Sequence, residues 1–178
     1  AYEDPLMLPA WRPDKAMNIE KPDFAKYVEQ LSSVSGVSIT RFADMVDALQ
    51  KRHDFFAEQG SKLSDHGLEE FYDEPYTDSQ IETIFQKAMR GQQLSQIEIH
   101  QFKNCFLTVM AEMDADAGWT QQYHYGTLRD NNTAMFNQIG PDTGFDSIGE
   151  FNTAKALSHF LDNLNKKGKL TRTILYTL

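Results

Sequence analysis

The feature that most constrains the fold is a regular alternation of short β-type segments with long helical stretches. Four short runs, each flanked by Gly, Pro or charged residues, are predicted as strands at residues 6–8, 62–64, 119–125 and 172–176. The segments between them have helical periodicity. Strand–helix–strand units repeated along a chain predict an α/β fold with a parallel sheet and right-handed crossovers.

Helix boundaries are marked by capping residues and by the spacing of apolar side chains. Thr77 and Ser95 each begin a capping-box sequence, with Gln or Glu three residues later, so each is predicted to start a helix. Gly118 is expected to end the second of these helices. The other predicted helices cover residues 24–31, 40–59 and 147–167, the last of them opened by a capping box at Ser147.

Composition excludes several classes of protein. The 178 residues include 17 Lys and Arg against 26 Asp and Glu, a net charge of −9. The basic residues are scattered singly, so we expect no nucleic-acid partner. A single cysteine, Cys105, excludes an intrachain disulfide. No apolar run reaches the length of about 18 residues that a membrane span needs, so we expect a cytoplasmic protein with no membrane partner.

Polar residues follow three of the predicted strands. Arg12 comes after the first strand, and Asp65 and His66 come after the second. His124 closes the third strand and Arg129 follows it. In parallel α/β folds, ligands bind at the carboxyl ends of the strands. Because arginine can hold a carboxylate and Asp and His can transfer protons, these residues predict a site for a sugar acid.

Several of these residues also have a purely structural interpretation. Arg12 is equally suited to a surface ion pair with Asp14, and Asp65 to capping the helix that follows it. His124 can also be interpreted as a hydrogen-bonded core histidine. His53 lies on the apolar stripe of a predicted helix, and we interpret it as structural.

The sequence contains no motif for nucleotide or zinc binding and no HxH pair. A divalent metal needs three or more protein ligands, and Asp65, His66 and His124 alone make a weak set. We therefore expect no metal site within this chain. Asn131 and Asn132, just beyond the third predicted strand, are candidates for hydrogen bonds to substrate hydroxyls.

Several stretches that coincide with the predicted strand ends give the chain a family resemblance. They are LPAWRPDKAMNIE at 8–20, KRHDFF at 51–56 with SDHG at 64–67, GWTQQYHYGTLRDNN at 118–132, GPDTGFDSIG at 140–149 and TILYTL at 173–178. With these motifs the chain resembles the uronate isomerases (glucuronate isomerases), a branch of the amidohydrolase superfamily. The resemblance spans nearly the whole chain and is loose only between residues 69 and 117.

The resemblance implies a fold. Family members are (β/α)8 TIM-type barrels, so the chain is expected to form about strands four to seven of such a barrel, as a single partial-barrel domain over residues 1–178. Residues 69–117 are expected to be a large helical insertion within that domain. The chain is then mostly helical by residue count.

The activity implied by the resemblance interconverts D-glucuronate with D-fructuronate, and D-galacturonate with D-tagaturonate, by enediol proton transfer. By position, Asp65 and His124 correspond to catalytic residues, and Arg12 and Arg129 to substrate-binding residues. Family members hold a divalent metal, for which we expect zinc, through an HxH pair on the first strand and an Asp on the last. Neither element occurs in this sequence. A metal-dependent hydrolase of the same superfamily and a non-catalytic helical interaction module are the alternatives.

The length and the ends of the chain indicate part of an enzyme. The sequence opens without Met and stops directly after an apolar β-type run, whereas a (β/α)8 barrel typically needs about 250 residues. We therefore expect the chain to be inactive by itself. Because a partial barrel leaves sheet edges unpaired, we also expect a homo-oligomer.

Overall fold

The computed structural model describes residues 7–177, which form an α/β fold built on a parallel sheet. Most of the regular structure is helical, in agreement with the sequence. In chain order the elements are a 3-10 helix at Asp14–Ala16, α1 (Phe24–Ser35), α2 (Phe42–Glu58), β1 (Leu63–Gly67), α3 (Asp78–Met89), α4 (Gln96–Ala117), β2 (Thr120–Tyr125), β3 (Thr127–Leu128), α5 (Thr133–Ile139), β4 (Ser147–Ile148), α6 (Thr153–Lys166) and β5 (Thr173–Thr177).

The main sheet has three parallel strands in the order β1-β2-β5. Trp11 extends it at one edge through a parallel bridge to Ser64. The Trp11 amide donates to the carbonyl of Leu63, and the Asp65 amide donates to the carbonyl of Trp11. Four neighbouring segments of the sheet therefore follow one another in chain order, and the predicted parallel sheet is confirmed.

The first predicted strand, residues 6–8, is wrong in the part that the structure describes. Met7 and Leu8 are 93% and 46% exposed and carry no strand structure. Among residues 7–13, the one that pairs with the sheet is Trp11, three residues beyond Leu8. Residue 6 lies outside the described residues.

The second predicted strand ends too early. β1 continues past Ser64 to Gly67, because all five of its residues pair in register with the first five residues of β2. Asp65 and His66 are therefore strand residues instead of loop residues. The consequence is that strand geometry, and not loop geometry, fixes the direction of both side chains.

Two capping boxes begin the long helices at the predicted positions. The Thr77 hydroxyl accepts a hydrogen bond from the Gln80 amide, and the Ser95 hydroxyl accepts one from the Glu98 amide. These bonds satisfy donors that the first turn of a helix leaves free. α4 ends at Gly118, whose φ of 67° lies in the left-handed region that glycine adopts without a Cβ penalty.

The helix predicted from Ser147 is wrong at its start. Ser147 and Ile148 form β4, which pairs antiparallel with β3, and α6 begins only after Asn152. The Ser147 hydroxyl accepts a hydrogen bond from Asn131 Nδ2 at 2.8 Å, which engages it inside the hairpin. α5 lies in the same hairpin and has no buried residue, so apolar spacing does not predict it.

The two faces of the main sheet differ in burial. Ser64 and His66 of β1 and Gln121 and Tyr123 of β2 are buried on one face. On the other face, alternate residues of both strands are partly exposed. Because successive side chains of a strand point to opposite faces, one face belongs to the core and the other is accessible to a ligand.

Of the helices that the structure describes, none is long and apolar enough to cross a lipid bilayer.

Candidate active site

Neighbouring segments of the sheet bring three of the predicted site residues together. Arg12 follows the bridge at Trp11, Asp65 is in the middle of β1, and His124 is near the carboxyl end of β2. Asp65 and His124 alternate with the buried residues of their strands, so both point to the open face. The parallel register thus gathers residues that are far apart in the chain.

Arg12, Asp65 and His124 form a continuous chain of contacts, which we call the open-face triad. Arg12 Nη1 lies 3.2 Å from Asp65 Oδ2, and His124 Nε2 lies 2.9 Å from Asp65 Oδ1. The side chain of Asp65 is 17% exposed and that of His124 is 45% exposed. A non-catalytic interaction module predicts that these three residues lie far apart, and they do not.

The structural alternatives for two of these residues are wrong. Asp65 lies inside β1 and the next helix is capped by Thr77, so Asp65 caps no helix. His124 is half-exposed instead of lying in the core. Arg12 makes the predicted ion pair with Asp14, since its Nε donates to Asp14 Oδ2 at 2.9 Å, and its Nη1 also reaches Asp65.

Asp14 is a member of the site that sequence reasoning treats only as a surface partner. Its Oδ2 accepts hydrogen bonds from Arg12 Nε and from the Gly67 amide, both at 2.9 Å. Its Oδ1 lies 3.0 Å from Nδ1 of the buried His66. The WRPD motif contains both Asp14 and Arg12, but His66 and Gly67 are more than fifty residues away in the chain, so the motif alone does not identify these two partners.

Charges around Arg12 shift the pKa values of the site. Burial opposes ionisation of Asp14, yet hydrogen bonds and charge from His66, the Gly67 amide and Arg12 hold the pKa of its carboxyl below the ordinary value. Partial burial disfavours the charged form of Arg12, but the carboxylates of Asp14 and Asp65 outweigh this effect and raise its pKa. Arg12 and Asp14 are therefore both charged at neutral pH.

His124 has a second neighbour that sequence reasoning misses. The ring of Tyr176 on β5 stacks on the imidazole with 4.3 Å between ring centroids and 7° between planes. The Tyr176 hydroxyl donates to Gln122 Oε1 at 2.8 Å. His124 and Tyr176 are directly paired in the parallel register, a relation that only the alignment of the two strands supplies.

Arg129 lies apart from the open-face triad, next to the hairpin of β3 and β4. Its Nη1 is 2.7 Å from Asp146 Oδ2, and the Asp130 amide donates to Asp146 Oδ1 at 3.0 Å. The neighbouring asparagines are engaged within the protein, since Asn131 Nδ2 donates to the Leu128 carbonyl and Asn132 Oδ1 caps α5. Arg129 reaches the site through a shared cavity instead of a direct contact.

Two cavities adjoin Arg12 and Arg129. One of about 470 Å³ lies over the open face and is also lined by His124 and Tyr176. The other, of about 590 Å³, extends toward the loops and is also lined by Asp14. Both volumes lie in the range of about 300–1,000 Å³ that is typical of small-molecule sites. Arg12 and Arg129 line both cavities.

His53 is structural, as the sequence indicates. It is 1% exposed, its Nε2 lies 3.2 Å from Oδ1 of the fully buried Asp114, and its ring stacks on Trp119 at 3.9 Å. The other oxygen of Asp114 accepts a hydrogen bond from the Ser64 hydroxyl at 2.5 Å. This network joins α2, α4 and β1 beneath the sheet.

Cys105 is also structural. It is buried, and burial raises the pKa of its thiol to about 12.

The described residues do not form a metal site by themselves. Over residues 7–177, no group of three or more His, Cys, Asp and Glu side chains has the arrangement that would hold a metal ion. The chemistry of the open-face triad is that of an anion-binding arginine beside an Asp–His pair, which is suited to proton transfer.

Comparison with known proteins gives one family. A family model described as glucuronate isomerase matches residues 3–178. Among curated proteins, the uronate isomerases of Bacteroides thetaiotaomicron and Phocaeicola vulgatus are 64% and 65% identical over 173 residues. Both alignments cover 97% of this chain and 37% of the relative. The chain therefore spans little more than a third of the length of these relatives.

Solved structures agree. The crystal structure of uronate isomerase from Thermotoga maritima matches with a TM-score of 0.89 and 32% identity, covering 96% of this chain and 38% of that one. The crystal structure of glucuronate isomerase from Caulobacter crescentus matches with a TM-score of 0.84 and 27% identity, covering 96% of this chain and 35% of that one.

Proposed function

The chain belongs to the glucuronate isomerase family, and we propose that it supplies part of the active site of an enzyme that interconverts D-glucuronate with D-fructuronate and D-galacturonate with D-tagaturonate. The observation that carries the proposal is the open-face triad, in which Arg12, Asp65 and His124 come from neighbouring segments of the sheet and are in contact on its open face. A surface that only binds another protein has no need of such a chain of charges beside a cavity.

The proposed reaction moves a proton from C2 to C1 of the open-chain sugar through an enediol. This step needs a positioned acid and base and a donor to the oxyanion. In our proposal, Asp65 and His124 orient the substrate or a water molecule and assist ring opening, and the base for the proton transfer comes partly from segments outside this chain. Arg12 holds the substrate carboxylate or a hydroxyl, and Arg129 contacts the substrate from the side of the hairpin.

We further propose that the fold is part of a (β/α)8 TIM-type barrel, about strands four to seven. The order of the segments supports this proposal, because Trp11, β1, β2 and β5 neighbour one another in chain order and run parallel. The open face of the sheet would then face the barrel interior. In this proposal residues 1–178 are one domain and residues 69–117, which contain α3 and α4, are an insertion.

The family resemblance also brings a divalent metal, with zinc as our expectation, into the complete enzyme. The described residues of this chain do not fit such a metal by themselves, so in our proposal its ligands come from segments outside the chain. We derive no step of the reaction through it. For the same reason we propose that the 178-residue chain is inactive alone.

The exposed side chains of β5 support self-association. Ile174, Leu175 and Tyr176 are 42%, 38% and 43% exposed, and an uncovered strand is prone to pair with another chain. We propose a cytoplasmic homo-oligomer with no nucleic-acid or membrane partner. Light scattering of the purified chain tests this point, because a monomeric mass would contradict it.

The activity is tested on the complete protein that contains this chain. Incubation with D-glucuronate, and separately with D-galacturonate, should remove the aldehyde signal of the substrate and produce a ketose. A protein that leaves both uronates unchanged but cleaves esters or amides would instead support the metal-dependent hydrolase alternative. The rates with the two uronates also give the substrate preference.

A further inference from the structure

Among the described residues, the Asp14 carboxylate makes three hydrogen-bond contacts, all of them to groups of the protein. Oδ2 accepts from Arg12 Nε and from the Gly67 amide, and Oδ1 is bound to His66 Nδ1, at distances of 2.9–3.0 Å. The side chain of Asp14 is 15% exposed, against 51% for that of Arg12. Although Asp14 lines a cavity, both of its oxygens are already bonded to neighbouring protein groups, whereas Arg12 is the more exposed of the two side chains.

The contact with His66 fixes the carboxylate from behind. An ionised carboxylate only accepts hydrogen bonds, so His66 Nδ1 carries the proton and donates it. The imidazole is fully buried and lies on the ring of Tyr123, with 5.3 Å between centroids and 19° between planes. Its Nε2 is buried with no hydrogen-bond partner among the described residues. The buried, stacked imidazole of His66 therefore holds Asp14 Oδ1 in a fixed position.

The same carboxylate fixes the orientation of the Arg12 guanidinium. A long, half-exposed arginine side chain samples many rotamers unless it is held. With Nε bound to Asp14, Nη1 is directed to Asp65. The guanidinium also lies against Gly67, where a Cβ would come within 2.3 Å of Nη2. Because Gly67 has no side chain, the Arg12 guanidinium has room to adopt the orientation that its bond to Asp14 sets.

We infer that Asp14 is a positioning residue for Arg12: together with His66 and Gly67 it holds the guanidinium in the orientation that binds the sugar acid. This inference rests on the proposed function, and it assigns to Asp14 a role exerted only through Arg12. Asp14 neither contacts the substrate nor exchanges a proton with it.

A double-mutant cycle in the complete protein tests the inference, because residues that act through one another give non-additive effects. Asp14→Asn replaces an acceptor facing Arg12 and Gly67 with an amide. The expected result is a rise of about tenfold or more in KM with a much smaller change in kcat, since displacement of a positioning group by about 1 Å can cost up to ~100-fold. Arg12→Ala should raise KM by at least as much. When Asp14→Asn is added to Arg12→Ala, KM should not rise further. A double variant in which the two effects on KM add would overturn the inference.

A second variant covers the case in which Asp14→Asn does not fold. Asp14→Glu keeps the negative charge beside His66 but moves the carboxylate by one methylene, so it should also displace Arg12 and raise KM. A wild-type KM for Asp14→Glu would overturn the inference.

Asp44→Asn is the matched control. Asp44 also accepts from an arginine side chain, that of Arg41, and from backbone amides, those of Thr40 and Arg41, but at the start of α2. This variant should lower the melting temperature and leave KM unchanged. A matching rise in KM would show that loss of any such carboxylate has the same effect, which would also overturn the inference.

Binding measurements separate the two possible failures. D-glucarate is a sugar acid without an aldehyde, and calorimetry of its binding gives the same cycle without turnover. Wild-type protein that binds D-glucarate but does not isomerise uronates overturns the proposed function and still tests Asp14. Wild-type protein that isomerises uronates while the two mutations act additively overturns only the role of Asp14.

Discussion

Two Asp–His pairs lie on opposite faces of the same parallel sheet. On the covered face, His53 and Asp114 are 3.2 Å apart and 1% and 0% exposed. On the open face, His124 and Asp65 are 2.9 Å apart and 45% and 17% exposed. The chemistry of the two pairs is the same, but their surroundings differ. The covered pair is closed off by helices and aromatic rings, whereas the open pair adjoins a cavity.

This difference shows that an Asp–His pair acquires its role from access. A pair that no ligand can reach acts only on stability, because its groups would be left without partners if one were removed. A pair that faces a cavity contributes less to stability, since solvent screens its charges. The two pairs should therefore be separable by mutation, one through folding and the other through turnover.

The largest expected effect is on stability, at the covered pair. Asp114→Ala should reduce the free energy of unfolding of the complete protein by about 3–5 kcal/mol, because it leaves buried His53 and Ser64 without their partner. Chemical denaturation monitored by circular dichroism measures the loss. Any Asp114→Ala protein that remains folded should keep its KM, and a selective loss of substrate binding would contradict a purely structural role.

The next largest effect is on turnover, at the open pair. Asp65→Asn should reduce kcat by about 100-fold or more, since a general acid or base contributes ~10²–10⁴-fold. Its free energy of unfolding should change by only about 1 kcal/mol or less, as for other solvent-accessible ion pairs. Near-normal turnover would remove Asp65 from the mechanism. A large loss of folding stability would show that the open pair, like the covered pair, acts mainly on stability.

A smaller effect is expected from moving Arg12 without removing a charge. Gly67→Ala places a methyl group within 2.3 Å of Arg12 Nη2, so the guanidinium must leave its contact with Asp65. We expect kcat/KM to fall about tenfold, with little change in melting temperature, because the clash is with the end of a flexible side chain. Steady-state kinetics beside a thermal melt check this. An unchanged kcat/KM would mean that the position of Arg12 is not important.

The smallest expected effect is a change in the free energy of unfolding at acid pH. The folded-state pKa of Asp14 is lowered from 3.8, so its contribution to stability is present above that value and is lost as the pH falls through the lower, folded-state pKa. The free energy of unfolding should therefore decrease in the wild-type protein as the pH falls below about 3.8, and decrease less in Asp14→Asn. Denaturation curves across this range measure the difference, and equal slopes for the two proteins would contradict it.

Much of the fold follows from local sequence signals. Apolar spacing and the capping boxes at Thr77 and Ser95 identify α3 and α4, and Gly118 ends α4. The hairpin of β3 and β4 escapes prediction because its strands have two residues each, too few for any periodicity. The early end predicted for the second strand has a related cause, since Asp65 and His66 are polar residues whose strand conformation comes from pairing with β2.

The candidate site was predictable to a similar degree. The positions of Arg12, Asp65 and His124 at predicted strand ends identify them as site residues, and the structure brings them into contact. Asp14 and Tyr176 were not predicted as site residues. Their roles depend on contacts with His66 and His124 across more than fifty residues of chain, and one sequence contains no information on which distant residues meet.

The sequence by itself determined the class of fold, the parallel direction of the strands and the kind of chemistry available, because these properties depend on local periodicity and on residue type. Only the tertiary structure decided which charged residues act together. Arg12 and Asp14 are two residues apart, yet their orientation depends on His66, Gly67 and Asp65 in β1. Strand pairing alone fixes which side chains share a face, and burial decides which Asp–His pair a substrate can reach.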